Sequence, residues 1–206
     1  CTAPAPLGLP DHLSPTQVEQ YEHCPALFLY RQVYGLSDRM RARGSGGDGE
    51  QYGSMAHAVL ADWDFGKGPG TLDIPEELAR RGVPEAWRDR FAGELARFAA
   101  SPLYRAVAEA DSIEREASFG FIRDAVLIRG NIDLLFRRGG ESSLADYKTE
   151  RIGGDEIEQA ASLHRLQLGI YALAVYRAES QAPGRVTLQF LAPGISYDFT
   201  DIPGLL

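Results

Sequence analysis

Gly130-Asn131-Ile132-Asp133-Leu134-Leu135-Phe136, a turn through Gly139-Gly140, then Leu144-Ala145-Asp146-Tyr147-Lys148-Thr149: this stretch decides how the chain folds. Two apolar runs around a double-glycine turn predict a hairpin. Strand side chains alternate faces, so Asp146 and Lys148 share one side and Tyr147 takes the other. The turn brings Asp133 beside Asp146. Two carboxylates that close repel, and each raises the other's pKa unless a cation lies between them. Oxygen ligands favour a hard ion, Mg2+ or Mn2+.

Lys148 stands out against the rest of the chain. Of the 21 basic side chains, all but Lys67 and Lys148 are arginine. Lys67 belongs to a Gly-Lys-Gly-Pro-Gly loop and needs no special account. A compact ammonium suits a site where charge grows in a transition state, and a forked guanidinium does so less well.

Outward from this centre, strands are predicted at 112–121, 125–137 and 142–149. An amphipathic helix follows at 155–178, then short strands at 185–192 and 195–199. Upstream, Ser14-Pro15 caps and opens a helix that breaks at Cys24-Pro25. Residues 44–53 (GSGGDGEQYG) read as a flexible loop and Ser54 to about Trp63 as a short helix carrying His57. Glycine and proline dominate 66–75, and helices are expected at 85–99 and 103–110. The expected organisation is one domain over 1–206: a tail at 1–12, a mainly helical portion at 13–110 and an α/β core at 111–200. The fold class is α/β, with a central mixed sheet flanked by helices.

Composition narrows the setting. Apolar and charged fractions of 44% and 24% fit an ordinary soluble globular chain. No apolar run reaches membrane-spanning length and no signal segment opens the chain. Two cysteines make neither a disulfide framework nor a four-cysteine metal site, so a reducing, cytoplasmic setting is expected. Cys1 in place of Met points to a piece of a longer protein. The net charge of −8 runs against nucleic-acid binding by this piece alone, although a carboxylate site is acidic until its cation arrives. There is no G-x-x-x-x-G-K-[ST] loop for a nucleotide motor and no G-x-S-x-G nucleophile elbow.

Several blocks, in order, resemble the RecB-like branch of the PD-(D/E)XK nucleases. Leu13-Ser14-Pro15-Thr16-Gln17 with Tyr21 and Cys24-Pro25 is similar to that family's opening helix. Gly53-Ser54-Met55-Ala56-His57 with Leu60 is similar to its G-x-x-x-H-x-x-L helix. Gly130-Asn131-Ile132-Asp133 and Asp146-Tyr147-Lys148-Thr149 resemble its two catalytic strands, and Gln167 with Tyr171 its Q-x-x-x-Y helix. The resemblance implies a restriction-endonuclease-like core and a metal-dependent deoxyribonuclease, an exonuclease by expectation, acting in double-strand-break repair and recombination. It implies metal ligation by His57, Asp133, Asp146 and the backbone carbonyl of Tyr147, with Mg2+ or Mn2+ as cofactor. It makes Asp133, Asp146 and Lys148 the catalytic set, supported by Gln167 and Tyr171. Its implied partners are DNA, single-stranded by expectation, and a helicase motor in the same or a partner chain, with no membrane. Some relatives hold an iron–sulfur cluster through one early and three late cysteines. Cys24 has no late partners, so no cluster is expected.

The plainer readings stay beside these. Glu116, which could add a carboxylate, is read as structural; His164, which could face the site, is read as packing or surface; and Cys24 is read as a small buried hydrophobe. Arg39, Arg41 and Arg43 form either a phosphate-contacting cluster or a solvated loop. The alternative to an active enzyme is an inactive module of the same fold that binds DNA ends or scaffolds a partner.

Overall fold

A computed structural model describes residues 10–35, 47–66 and 74–205; Arg39, Arg41, Arg43 and Lys67 lie outside them. The first helix, α1 (Pro15–His23), starts where the sequence places it. Ser14 accepts from the Gln17 backbone N–H while the Gln17 side chain accepts from that of Ser14, a reciprocal cap with Pro15 just inside. Pro25 cannot continue α1, so Cys24 ends it and α2 (Pro25–Phe28) begins, running into a π-helical turn at Leu29–Val33. Cys24 is exposed, against the buried hydrophobe expected.

The next helices are α3 (Gly47–Ala61), α4 (Ile74–Arg80), α5 (Glu85–Ala99) and α6 (Pro102–Ala108). Residues 47–53, expected in a loop, are the first two turns of α3. Asp48 and Glu50 in its first turn favour the helix N-terminus electrostatically, which offsets part of the cost of the three glycines at 47, 49 and 53.

The strands β1 (Ser112–Arg123), β2 (Val126–Arg138), β3 (Glu141–Lys148), β4 (Arg185–Phe190) and β5 (Ile195–Asp198) form one mixed sheet, in chain order. All neighbours are antiparallel except β3 and β4, which run parallel. A parallel pair needs a crossover, here α7 (Ile157–Leu163) and α8 (Arg165–Glu179). The single helix predicted over 155–178 is therefore two, parted at His164, where the backbone leaves helical geometry at φ −99 and ψ 5.

Helices cover both faces. On one, Leu60, Phe91, Phe98 and Tyr104 of α3, α5 and α6 pack against Leu134, Phe136 and Tyr147. On the other, Leu168, Ala172 and Val175 of α8 pack against Leu144, Val186 and Leu188. Each such fully buried large side chain contributes about 1.5–3 kcal/mol of transfer free energy. The N-terminus of α1 closes onto β2, with Leu13 hydrogen-bonded to Leu127 and Arg129. Glycine at 130 allows the close approach, since a Cβ would stand 3.0 Å from Pro15 Cδ and 3.2 Å from the Phe119 ring.

One irregularity matters for function. Ile113 packs toward the α5 side, with Arg115 over the Phe65 ring on the same side, yet Ala117 and Phe119 pack toward α8. In a regular strand these odd-numbered residues would share a face. Glu116 between them has φ 49, and it reverses the faces. Opposite it, β2 reverses too: Leu134 and Phe136 face the α5 side and Ile132 the α8 side, with Asp133 at the change. Arg115↔Leu134 and Ala117↔Ile132 flank the spot, so Glu116 and Asp133 stand across from each other.

Candidate active site

The β2–β3 ladder ends at Leu134↔Ala145, one step before Asp133 and Asp146. Beyond that point β2 stays with β1, and β3 runs on beside β4 to Lys148↔Phe190. The sheet parts there. Asp133 covers the opened edge: its Oδ2 accepts the Tyr147 backbone N–H at 2.8 Å. Side chains from both helical layers can then reach one spot.

From the first layer comes His57 of α3, with Nδ1 3.3 Å from Asp133 Oδ2 and its ring edge-on to Tyr147. Glu116 joins them. His57, Glu116 and Asp133 each offer a ligand atom, all within 4.8 Å of one another. One imidazole nitrogen and two carboxylates suit Mn2+ and, through the oxygens, Mg2+. Glu116, read from the sequence as structural with the option of adding a carboxylate, stands close enough to be a third ligand. Its signal was countable, since it lies as far before the Asp124-Ala125 turn as Asp133 lies after it.

From the other layer comes α8. Gln167 accepts from Lys148 Nζ at 2.9 Å through Oε1, and its Nε2 contacts Asp146 Oδ1 at 3.1 Å and the Tyr171 hydroxyl at 2.9 Å. Lys148 Nζ stands 2.9 Å from Asp146 Oδ2. Asp146, Lys148 and Gln167 thus close a ring, with Asp146 and Lys148 on one face of β3. Tyr147 lies on the other, in the α5-side core.

The two groups feel each other's charge. Burial pushes the Asp146 carboxyl up to about 6 against the pull of Lys148, and the charge of Asp133 adds to the rise. For Lys148, burial favours the neutral amine, but Asp146 outweighs it and holds the ammonium above its ordinary pKa. For His57, burial likewise opposes protonation, but its hydrogen bond to Asp133 and that residue's charge keep it above the usual value. A buried carboxyl raised this far, with another acid nearby, is a group that a divalent cation would ionise. Asp146 Oδ2 is buried with the Lys148 ammonium as its close partner, and a carboxylate oxygen with one partner keeps a lone pair for a cation. The residues present fit a divalent metal.

A second cluster borders the first. His164, at the α7–α8 break, has Nε2 3.3 Å from Glu150 Oε1 and Nδ1 3.7 Å from Glu19 of α1. It is partly buried and ties α1 to the segment leaving β3.

Comparison with known proteins agrees with this architecture. The family model described as the PD-(D/E)XK nuclease superfamily matches residues 12–199. The chain is 31% identical over 117 residues to an ATP-dependent helicase/nuclease subunit of Staphylococcus saprophyticus, covering 48% of this chain and 10% of that protein. It is 30% identical over 147 residues to the protein of the same name from Carboxydothermus hydrogenoformans, covering 62% of this chain and 12% of that one. The chain therefore spans about a tenth of the length of these relatives. A crystal structure from Eubacterium rectale, described as a candidate exonuclease, superposes with a TM-score of 0.57 at 11% identity. The match covers 95% of this chain and 76% of that one, a likeness of fold. Among the described residues no helix is long and apolar enough to cross a membrane.

Proposed function

The chain belongs to the PD-(D/E)XK nuclease superfamily, and from that premise we propose that it is a metal-dependent DNA nuclease module. In this reading it works within a longer helicase–nuclease and degrades a DNA strand during break repair and recombination, as an exonuclease taking single strands. The single observation that carries the reading is the meeting of His57, Glu116 and Asp133 where the sheet parts, beside the Asp146–Lys148–Gln167 ring.

His57, Asp133, Asp146 and the Tyr147 carbonyl are the proposed ligands of Mg2+ or Mn2+, with Glu116 added on its placement. When bound, such an ion lowers the pKa of water and polarises a phosphoryl oxygen. The chain's own residues do the rest. Lys148, held charged by Asp146, lends its ammonium to the attacking water or to the charge growing on the phosphate. Gln167 fixes the positions of Lys148 and Asp146 together, and Tyr171 fixes Gln167. The hydrogen bond from Tyr147 N–H locks Asp133 in its rotamer, so its carboxylate is oriented in advance.

Support for a motor partner comes from the ATP-dependent helicase/nuclease proteins that the chain resembles. The test is direct. Purified protein with Mg2+ or Mn2+ should degrade single-stranded DNA, while Asp146→Ala and Lys148→Ala should abolish that with the circular dichroism unchanged. Cleavage that survives both substitutions overturns the assignment.

A further inference from the structure

Past the end of β3 the chain opens into a cavity of about 550 Å³, bordered by Arg90, Arg97, Arg151, Asp89 and Pro193. Arg90 is a fixed strut in its wall. Its Nε donates to Glu94 Oε1 at 2.8 Å, its Nη2 to the Thr149 carbonyl at 3.3 Å, and its guanidinium lies 3.6 Å above the Tyr52 ring. Glu94 is spent as well, since its second oxygen accepts the Tyr52 hydroxyl at 2.7 Å. Arg97 and Arg151 differ. Both are exposed, and neither makes an ion pair or side-chain hydrogen bond among the described residues. Arg97 and Arg90 are two helical turns apart on α5, so they share a face. Asp89 at the rim is a single acid against the two free guanidiniums, which leaves the cavity cationic in a chain of net charge −8.

The position gives this charge a purpose. Arg151 follows Lys148 by three residues, so their Cα atoms lie at most about 11 Å apart. Arg90 holds Thr149, the residue between the site and the cavity, against α5. A strand with one phosphodiester beside Lys148 would carry its neighbouring phosphates within reach of the two free guanidiniums, which match phosphate oxygens in pairs.

We propose that the cavity between α5 and the segment leaving β3 is a phosphate subsite, in which Arg97 and Arg151 hold the DNA backbone next to the cleaved bond. The proposal rests on the nuclease reading and names where that site grips its substrate. Such contacts position a strand without reading its bases.

The test uses the 206-residue chain with Asp146→Asn, so that bound DNA is not cut, and a fluorescein-labelled oligothymidylate in Mg2+. Affinity is measured by anisotropy across a range of KCl. Each lost phosphate contact on a single strand flattens the plot of log affinity against log salt by about 0.7. Arg97→Gln and Arg151→Gln should each flatten it by about 0.7 and the double variant by about 1.4. Arg185→Gln, at the far end of the sheet where Arg185 pairs with Ser143, should leave the slope as it was. An unchanged slope in the double variant, or equal flattening in Arg185→Gln, overturns the subsite and leaves the nuclease reading intact. A parent that binds no oligonucleotide, with a wild type that cuts none, overturns both.

Discussion

Lys148 and Asp146 share one fate, because each is shielded from water and each is the other's nearest opposite charge. Lys148→Gln takes away both the ammonium and the force that keeps Asp146 ionised. The expected loss of cleavage rate is about 10²–10³-fold, the size seen when a single charge-stabilising donor is removed. Gln167→Ala removes the side chain that holds Lys148 and Asp146 together; in the proposed mechanism a loss of about 10–100-fold is expected. Initial rates at saturating Mn2+ measure both, and a Gln167→Ala rate equal to wild type would remove Gln167 from the machinery. Strand alternation alone put Asp146 and Lys148 on one face of β3, whereas His57 and Gln167 entered the proposed set only through the resemblance to a known family, because spacing alone does not separate either from a packing residue. Glu116 was placed by neither route. Its contribution depends on a left-handed backbone at a non-glycine residue, which no pattern of apolar positions reveals.

At the scale of elements, α8 begins after the break at His164 and presents Gln167 to Asp146, with Tyr171 bonded behind Gln167. Periodicity missed it, because the apolar stripe continues from Ile157 to Val175 and neither glycine nor proline marks the stop. The tie that accompanies the break is pH-dependent. Burial alone would favour neutral His164, but its contacts with Glu150 and Glu19 outweigh that and raise its pKa, and nearby Lys148 works the other way. For a histidine raised on folding, the stabilisation is complete below its unfolded pKa and is lost as pH climbs through the folded one. His164→Gln should therefore cost about 1 kcal/mol near pH 6 and much less at pH 9. Urea titrations at the two pH values decide it; an equal cost at both would mean that packing alone holds the residue. The α3 helix tells the opposite story from α7–α8. There a glycine-rich sequence suggested a loop, and the packing of Tyr52 against Trp87 and Phe91 overrode the local preference.

For the whole molecule, the strand order, the mixed sheet and its two helical layers followed from the alternation of apolar runs, while the parting of the sheet did not. An ion held at that parting, as proposed, would bind only the folded chain and so would be linked to its global stability. As proposed ligands, His57 and Asp146 would have to be deprotonated, and their pKa values lie above the ordinary one and near 6 respectively. Protons therefore compete with the metal increasingly as pH falls through that region. At a hundredfold excess over its Kd, Mn2+ should stabilise the fold by about 2.7 kcal/mol. For a chain of this size that is a rise in Tm of about 5–10 °C. Thermal-shift scans at pH 7.5 should record it and scans at pH 5.5 should record much less, whereas a pH-independent rise would place the ion elsewhere. The paired face reversals in β1 and β2 carry one more consequence. Adding or deleting a single residue between Glu116 or Asp133 and the tip would shift the two acids against each other and turn the residues beyond the change to the opposite face. Changes of length are harmless only at the tip, where Asp124 and Ala125 already turn through positive φ. Drift in this segment should therefore gather at the tip and leave the two arms equal in length.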